Sequence, residues 1–198
     1  MLVISAAAES TALTTLAAYK ADQGITATTD DSYLTTLIAS ASIALAKACK
    51  RTHFGRETVV QTERLTCYRL CIILERDIAP SITTVVVDGV MLDTDEYELD
   101  GSLLYRLSDD TRECWAPGKI VITYAAGYSL PSGAPADLAR ACILTMSAWS
   151  AARGRDPILR SQTFEGTGAE SYLDPRAGAE VIPPQAVALL SDYMRWSV

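Results

Sequence analysis

Nucleophilic catalysis needs a base within hydrogen-bond reach of a serine, threonine or cysteine. The chain has one histidine, His53, in Lys50-Arg51-Thr52-His53-Phe54. That run reads as a helix end, where the ring is placed to cap carbonyls rather than to take a proton. Gly127-Tyr128-Ser129-Leu130-Pro131 puts Pro131 where the last glycine of a nucleophile elbow belongs. Gly118-Lys119-Ile120 lacks the upstream glycine and the hydroxyl of a phosphate loop, and Gly166 and Gly168 are only a flexible pair. Asp93 and Asp95 begin like a calcium loop, but Tyr97 stands at the next ligand position and the segment alternates like a strand. A solvated hairpin edge, kept from unwanted pairing by its charge, fits 93–101 better. Cys67 and Cys71 are four apart, which on a strand spreads them along one face instead of closing them round an ion. The residues therefore assign no catalytic, cofactor-binding or metal site, and the chain reads as non-enzymatic.

The charge of −7 disfavours binding nucleic acid through its phosphates, which takes clustered Lys and Arg to displace counterions. With 198 residues, 49% of them hydrophobic, the chain is long enough for one domain with a core plus extensions. No stretch approaches the roughly 18 uncharged apolar residues of a membrane helix, and residues 1–15 lack the pattern of a signal peptide. A soluble protein made in the cytoplasm is expected. The five cysteines, Cys49, Cys67, Cys71, Cys114 and Cys142, are expected to be buried free thiols rather than a disulfide framework.

The elements that would position any site follow from periodicity. Residues 9–23 read as a helix capped by Ser10 or Thr11, with Leu13, Leu16 and Ala17 on one face and Gly24 as its stop. A longer helix follows Thr29-Asp30-Asp31-Ser32, its apolar face made by Leu34, Leu37, Ile38, Ala41, Leu45, Ala48 and Cys49. From residue 59 the pattern changes to short β-rich runs, over 59–68, 71–74, 82–87, 96–99, 102–106 and 119–124. Asp88-Gly89 and Asp100-Gly101 are hairpin signals, because both residue types tolerate positive φ. A third helix starts near Pro135 and carries Leu138, Cys142, Ile143, Met146 and Trp149 inward. Residues 154–182 show glycines, prolines and little periodicity, which suggests an extended arm. Pro183-Pro184 start a short last helix with Val187, Leu190, Tyr193 and Met194 on one side. The fold class is α+β: a helical bundle with a long central helix, a small antiparallel sheet or sandwich, and an extended C-terminal arm.

Three segments in this order resemble the head-tail connector adaptor family of tailed bacteriophages and gene transfer agents. Asp31-Ser32-Tyr33-Leu34-Thr35-Thr36-Leu37-Ile38 leads to an end at Phe54-Gly55-Arg56; Ile120-Val121-Ile122-Thr123-Tyr124-Ala125-Ala126-Gly127-Tyr128 precedes a proline break; and a helix over 135–152 contains Ala148-Trp149. The resemblance covers residues 9–155, with Ile120 and Ile122 in place of two valines of the family pattern. It implies a core of residues 1–155, including a β region at 57–126, and a docking arm of residues 156–198. It further implies a structural role in the virion neck: a dodecameric ring between the portal protein and the stopper or tail proteins, with DNA passing through unbound. An acidic or neutral lumen suits that passage, since carboxylates repel phosphates. The long cysteine-bearing first strands and the tail from Gly154 depart from shorter relatives.

Near the root of the arm, Arg153, Arg155 and Arg160 are placed to pair with portal carboxylates. Phe164, Tyr172, Leu190, Tyr193 and Trp196 are the expected apolar contacts with portal or neighbour. Other readings are a stopper or tail-completion protein of the same neck, for which a β-barrel without the long helix would speak, and a small acidic binding domain or enzyme, for which a deep polar pocket would speak.

Overall fold

The computed structural model describes residues 1–153, 161–164, 168–171 and 182–195. The chain divides into two compact units, Met1–Ala12 with Phe54–Ala134, and Leu13–His53 with Pro135–Val198. The first unit is built of strands, and the second holds the helices and one short hairpin. The class is α+β.

The first unit holds β1 (Leu2–Ala6), β2 (Glu57–Leu65), β3 (Cys71–Ile73), β4 (Ser81–Val87), β5 (Val90–Met91), β6 (Tyr97–Asp100), β7 (Leu103–Ser108), β8 (Thr111–Glu113) and β9 (Gly118–Ala126). They form a larger sheet in the order β1-β2-β9-β4-β5 and a smaller one in the order β3-β7-β6, with β8 also on β7; every pairing is antiparallel. Alternate residues of β9 face inward, so Ile120, Ile122, Tyr124 and Ala126 are buried with Val59 and Val85. Ile72, Leu74, Leu104 and Trp115 join the same core, each apolar side chain contributing about 1.5–3 kcal/mol by leaving water. The Trp115 indole N–H donates to the Leu104 carbonyl at 3.0 Å, so its one polar atom is satisfied.

A buried polar network ties residues 73–76 to the larger sheet. The Gln61 side-chain oxygen accepts from the Glu75 amide at 3.0 Å and from the Tyr124 hydroxyl at 2.9 Å, and its amide donates to the Ile73 carbonyl at 2.9 Å. Arg76 donates from its amide to the Tyr124 oxygen and from Nε to the buried Glu57 carboxylate. Burial pushes the Tyr124 phenol above its ordinary pKa.

Turn chemistry sets the register. Asp88 (φ 48) and Gly89 (φ 93) close the β4–β5 hairpin, and the Asp88 carboxylate accepts from the Lys119 amide at 2.7 Å. Gly101 (φ 61) closes β6–β7. A third turn, Asp109-Asp110 with φ 47 and 60, reverses β7 into β8, so the strand expected over 102–106 runs on to Ser108.

The second unit holds α1 (Leu16–Gln23), α2 (Asp31–Ala48), α3 (Ala136–Ala151), a backbone hairpin of β10 (Ser161–Phe164) and β11 (Gly168–Ser171), and α4 (Pro184–Ala188) followed by a 3-10 turn, Ser191–Tyr193. α2 buries Leu34, Leu37, Ile38, Ala41, Leu45 and Ala46; α3 buries Leu138, Ala141, Cys142, Ile143 and Met146. Their buried hydroxyls are satisfied: Ser42 accepts from the Leu13 amide at 3.0 Å and donates to the Ile38 carbonyl at 2.8 Å.

Several expectations are corrected. The first helix starts at Leu16 under a Thr15 cap, whose hydroxyl accepts from the Ala18 amide, and not near residue 9. The Leu13 amide is committed to Ser42, and the Ser10 hydroxyl accepts from the Ala12 amide, so residues 10–13 are not free to enter a helix. Residues 2–6 form a strand, although their apolar run carries no alternation. The arm contains the β10–β11 hairpin, whose four-residue strands are too short for a period to show. Cys67 and Cys114 are exposed and Cys71 half-buried, leaving only Cys49 and Cys142 buried; all five are free thiols. Trp149 is half-buried rather than part of the core. In and around the last helix Ile182, Ala186 and Leu190 are buried, every fourth residue, while Met194 is exposed.

Candidate functional site

Two of the quoted sequence segments meet in the β-rich unit. Phe54-Gly55-Arg56 and Ala126-Gly127-Tyr128 lie side by side: the Arg56 amide donates to the Tyr128 carbonyl at 2.8 Å and the Tyr128 amide to the Phe54 carbonyl at 2.9 Å. The approach is so close that a Cβ on Gly127 would strike the Gly55 carbonyl, and one on Gly55 would strike the Ser10 carbonyl. Beside this crossing lies an open cleft of about 410 Å³, lined by Ala6, Glu9, Arg56, Tyr128, Ser129 and Leu130 among others. Its lining offers hydroxyls, one guanidinium and one carboxylate, but neither histidine nor cysteine. Among the described residues, no three His, Cys, Asp or Glu side chains gather as metal ligands, and no helix is long and apolar enough to cross a membrane.

The same unit exposes apolar side chains at strand edges. Val3 (47% exposed) and Ile4 (50%) lie on β1, and Val90 (67%) and Met91 (64%) on β5. Tyr68, Leu70 and Ile73 are exposed on and before β3. The β6 side differs. Glu96 accepts from Arg106 at 2.9 Å, and Glu98 and Asp100 accept from Arg112 at 2.7 and 3.3 Å. The Asp93 backbone amide and the Arg106 guanidinium hold Glu96 below its ordinary pKa, and Arg112 does the same for Glu98.

In the helical unit the Arg153 guanidinium donates to Asp30 at 2.8 Å and stacks over the Tyr33 ring at 4.0 Å. The Tyr193 hydroxyl bonds Asp137 at 3.2 Å, its carbonyl accepts from Arg51 Nε at 2.9 Å, and the Arg195 amide donates to the Cys49 carbonyl at 3.1 Å. Leu190 is fully buried in the free chain. Phe164 sits at one end of the β10–β11 hairpin, its backbone paired with Gly168. Arg155, Arg160, Tyr172 and Trp196 lie outside the described residues.

The sequence reading missed the exposed edges. Their signal was present: residues 1–8 carry no charged side chain, and neither does Val90-Met91-Leu92, where a solvent-facing edge ordinarily carries one.

The family model described as head completion protein matches residues 12–196. No curated protein matches the sequence. Among solved structures, a chain in the neck of an empty gene transfer agent particle computed with C6 symmetry is 17% identical, with a TM-score of 0.58, 100% of this chain covered and 97% of that one. A chain in the neck of a native particle computed with C12 symmetry is 16% identical with a TM-score of 0.52, and one in a native gene transfer agent virion is 15% identical with a TM-score of 0.54, at the same coverage.

Proposed function

The chain belongs to the head completion protein family, and we propose that it serves as a structural connector in a virion neck, copies of it forming a ring between the portal and the tail or stopper proteins. The match across residues 12–196 carries this reading. Likeness in fold to chains in particle necks computed with C6 and C12 symmetry supports the ring. The protein's own chemistry agrees. It offers open apolar edges suited to protein contacts and a net charge of −7 that repels DNA instead of holding it.

The partner contacts on the helical side fall to Arg153, Arg155, Arg160, Phe164, Tyr172, Tyr193 and Trp196. Arg153 is already held by Asp30, so a portal carboxylate must compete with an existing pair. Truncation at residue 157 is a poor probe of these contacts, because it removes Ile182, Ala186 and Leu190 from the core. Charge reversals such as Arg155→Glu and Arg160→Glu probe them directly.

The role is tested by deleting the gene from the phage or gene transfer agent that encodes it. Separate heads and tails should accumulate, and the intact gene supplied in trans should restore joined particles. Joined, infectious particles without the chain would overturn the proposal.

A further inference from the structure

We propose that the two open edges of the larger sheet are the two halves of one subunit contact, in which the β1 edge of one copy pairs with the β5 edge of the next. This rests on the ring reading above and names the contact that closes it.

The backbone is prepared for pairing at both edges. Met1 and Thr62 exchange both hydrogen bonds, at 2.8 and 2.7 Å. Antiparallel pairs alternate, so Val3 bonds Val60 while Leu2 and Ile4 turn their N–H and C=O outward. At the other edge the Leu92 amide donates to the Val85 carbonyl at 2.9 Å, which leaves Met91 with its backbone groups outward. Neither strand carries a charged side chain or a proline, although the β6 edge is lined with carboxylates and arginines.

The side chains point to the same occupant. Successive residues of a strand face opposite sides, so Val3 and Ile4 leave both faces of β1 apolar and exposed; Val90 and Met91 do the same on β5. A strand exposed on both faces is matched by another strand end of the same kind, which this chain carries at the opposite edge. Four antiparallel steps separate β1 from β5, so the two run in the same direction and meet as a parallel pair. Because the contact joins two different surfaces, it repeats from copy to copy and gives a ring where the rotation between copies closes, whereas a β1–β1 contact would stop at a dimer. The edges are short, and the contact falls below the roughly 1,000 Å² of a stable isolated complex. Free subunits then associate weakly, and the neck holds them together.

Cross-linking traps such a contact. In a chain with Cys67 and Cys114 replaced by serine, one cysteine at position 3 or 4 is combined with one at position 90 or 91, in all four pairings. Concentrated protein is oxidised, and particles assembled with the same variants are treated alike. At least one pairing should give a ladder of covalent multimers in solution and in particles, and each single cysteine at most a trace of dimer. A dimer from Ile4→Cys alone as abundant as the ladder would replace the head-to-tail contact with a symmetric one. Chain present in particles with no ladder from any pairing would overturn the edge contact and leave the connector role standing. Chain absent from particles would overturn the connector role itself.

Discussion

Along and beside β6, Glu96, Glu98 and Asp100 are each paired with an arginine, whereas β1 runs Leu2-Val3-Ile4-Ser5-Ala6 without a charge. Both are sheet edges of one unit, built over one core. Exposed ion pairs are screened by water and contribute little, so those beside β6 are poorly explained as stabilisers. They are well explained as a barrier, since a strand lined with charge is a bad template for a neighbour. The difference separates a surface that stays in water from one that is covered in the assembly.

The comparison breaks most completely if the shared core is removed. Trp115→Ala should cost about 3–5 kcal/mol, read by denaturant unfolding, because it empties a large buried site and orphans the Leu104 carbonyl. A loss of less than 1 kcal/mol would mean that the two sheets do not depend on this side chain.

The next effect comes from the network that holds the smaller sheet's lead-in to the larger. Gln61→Leu removes partners from the Glu75 amide, the Ile73 carbonyl and the Tyr124 hydroxyl, and a loss of about 2–4 kcal/mol is expected at roughly 1–3 kcal/mol per orphaned group, with relaxation offsetting part. Tyr124→Phe in the same background should add less than it does alone, since the two share a hydrogen bond.

Acid sharpens the comparison by acting on one edge. Glu96 and Glu98 have folded pKa values below the ordinary 4.5, so their contribution is complete above that value and disappears as pH falls through the lowered ones. Hydrogen exchange, corrected for intrinsic rate, should show β6 and β7 losing protection below about pH 4.5 while β1 and β2 keep theirs. Earlier loss at β1 would contradict the assignment of charge to the β6 edge alone.

Arg112→Ala is the mildest change. It should cost little stability, and less in high salt, because its partners Glu98 and Asp100 are exposed. If charge guards this edge, the variant should nevertheless self-associate more readily, which light scattering would detect.

Much of the fold was legible. α2, α3, the start of the last helix and the two Asp-Gly hairpins follow from apolar spacing and turn residues within single segments. The failures have physical causes. Residues 10–13 look helical until Leu13 donates to Ser42, a partner far along the chain. β1 is recognisable only through its pairing with β2, and Leu190 is as apolar in the core as it would be in a groove. The edges went unread because the informative feature was a missing charge, which becomes meaningful only once the strand order is known.

The connector role is tested most directly by cryo-electron microscopy of purified particles that contain the chain. Density for its two units should repeat around a closed ring between head and tail. Its placement on the capsid surface or at the tail tip, or its absence from the particles, would contradict the connector role.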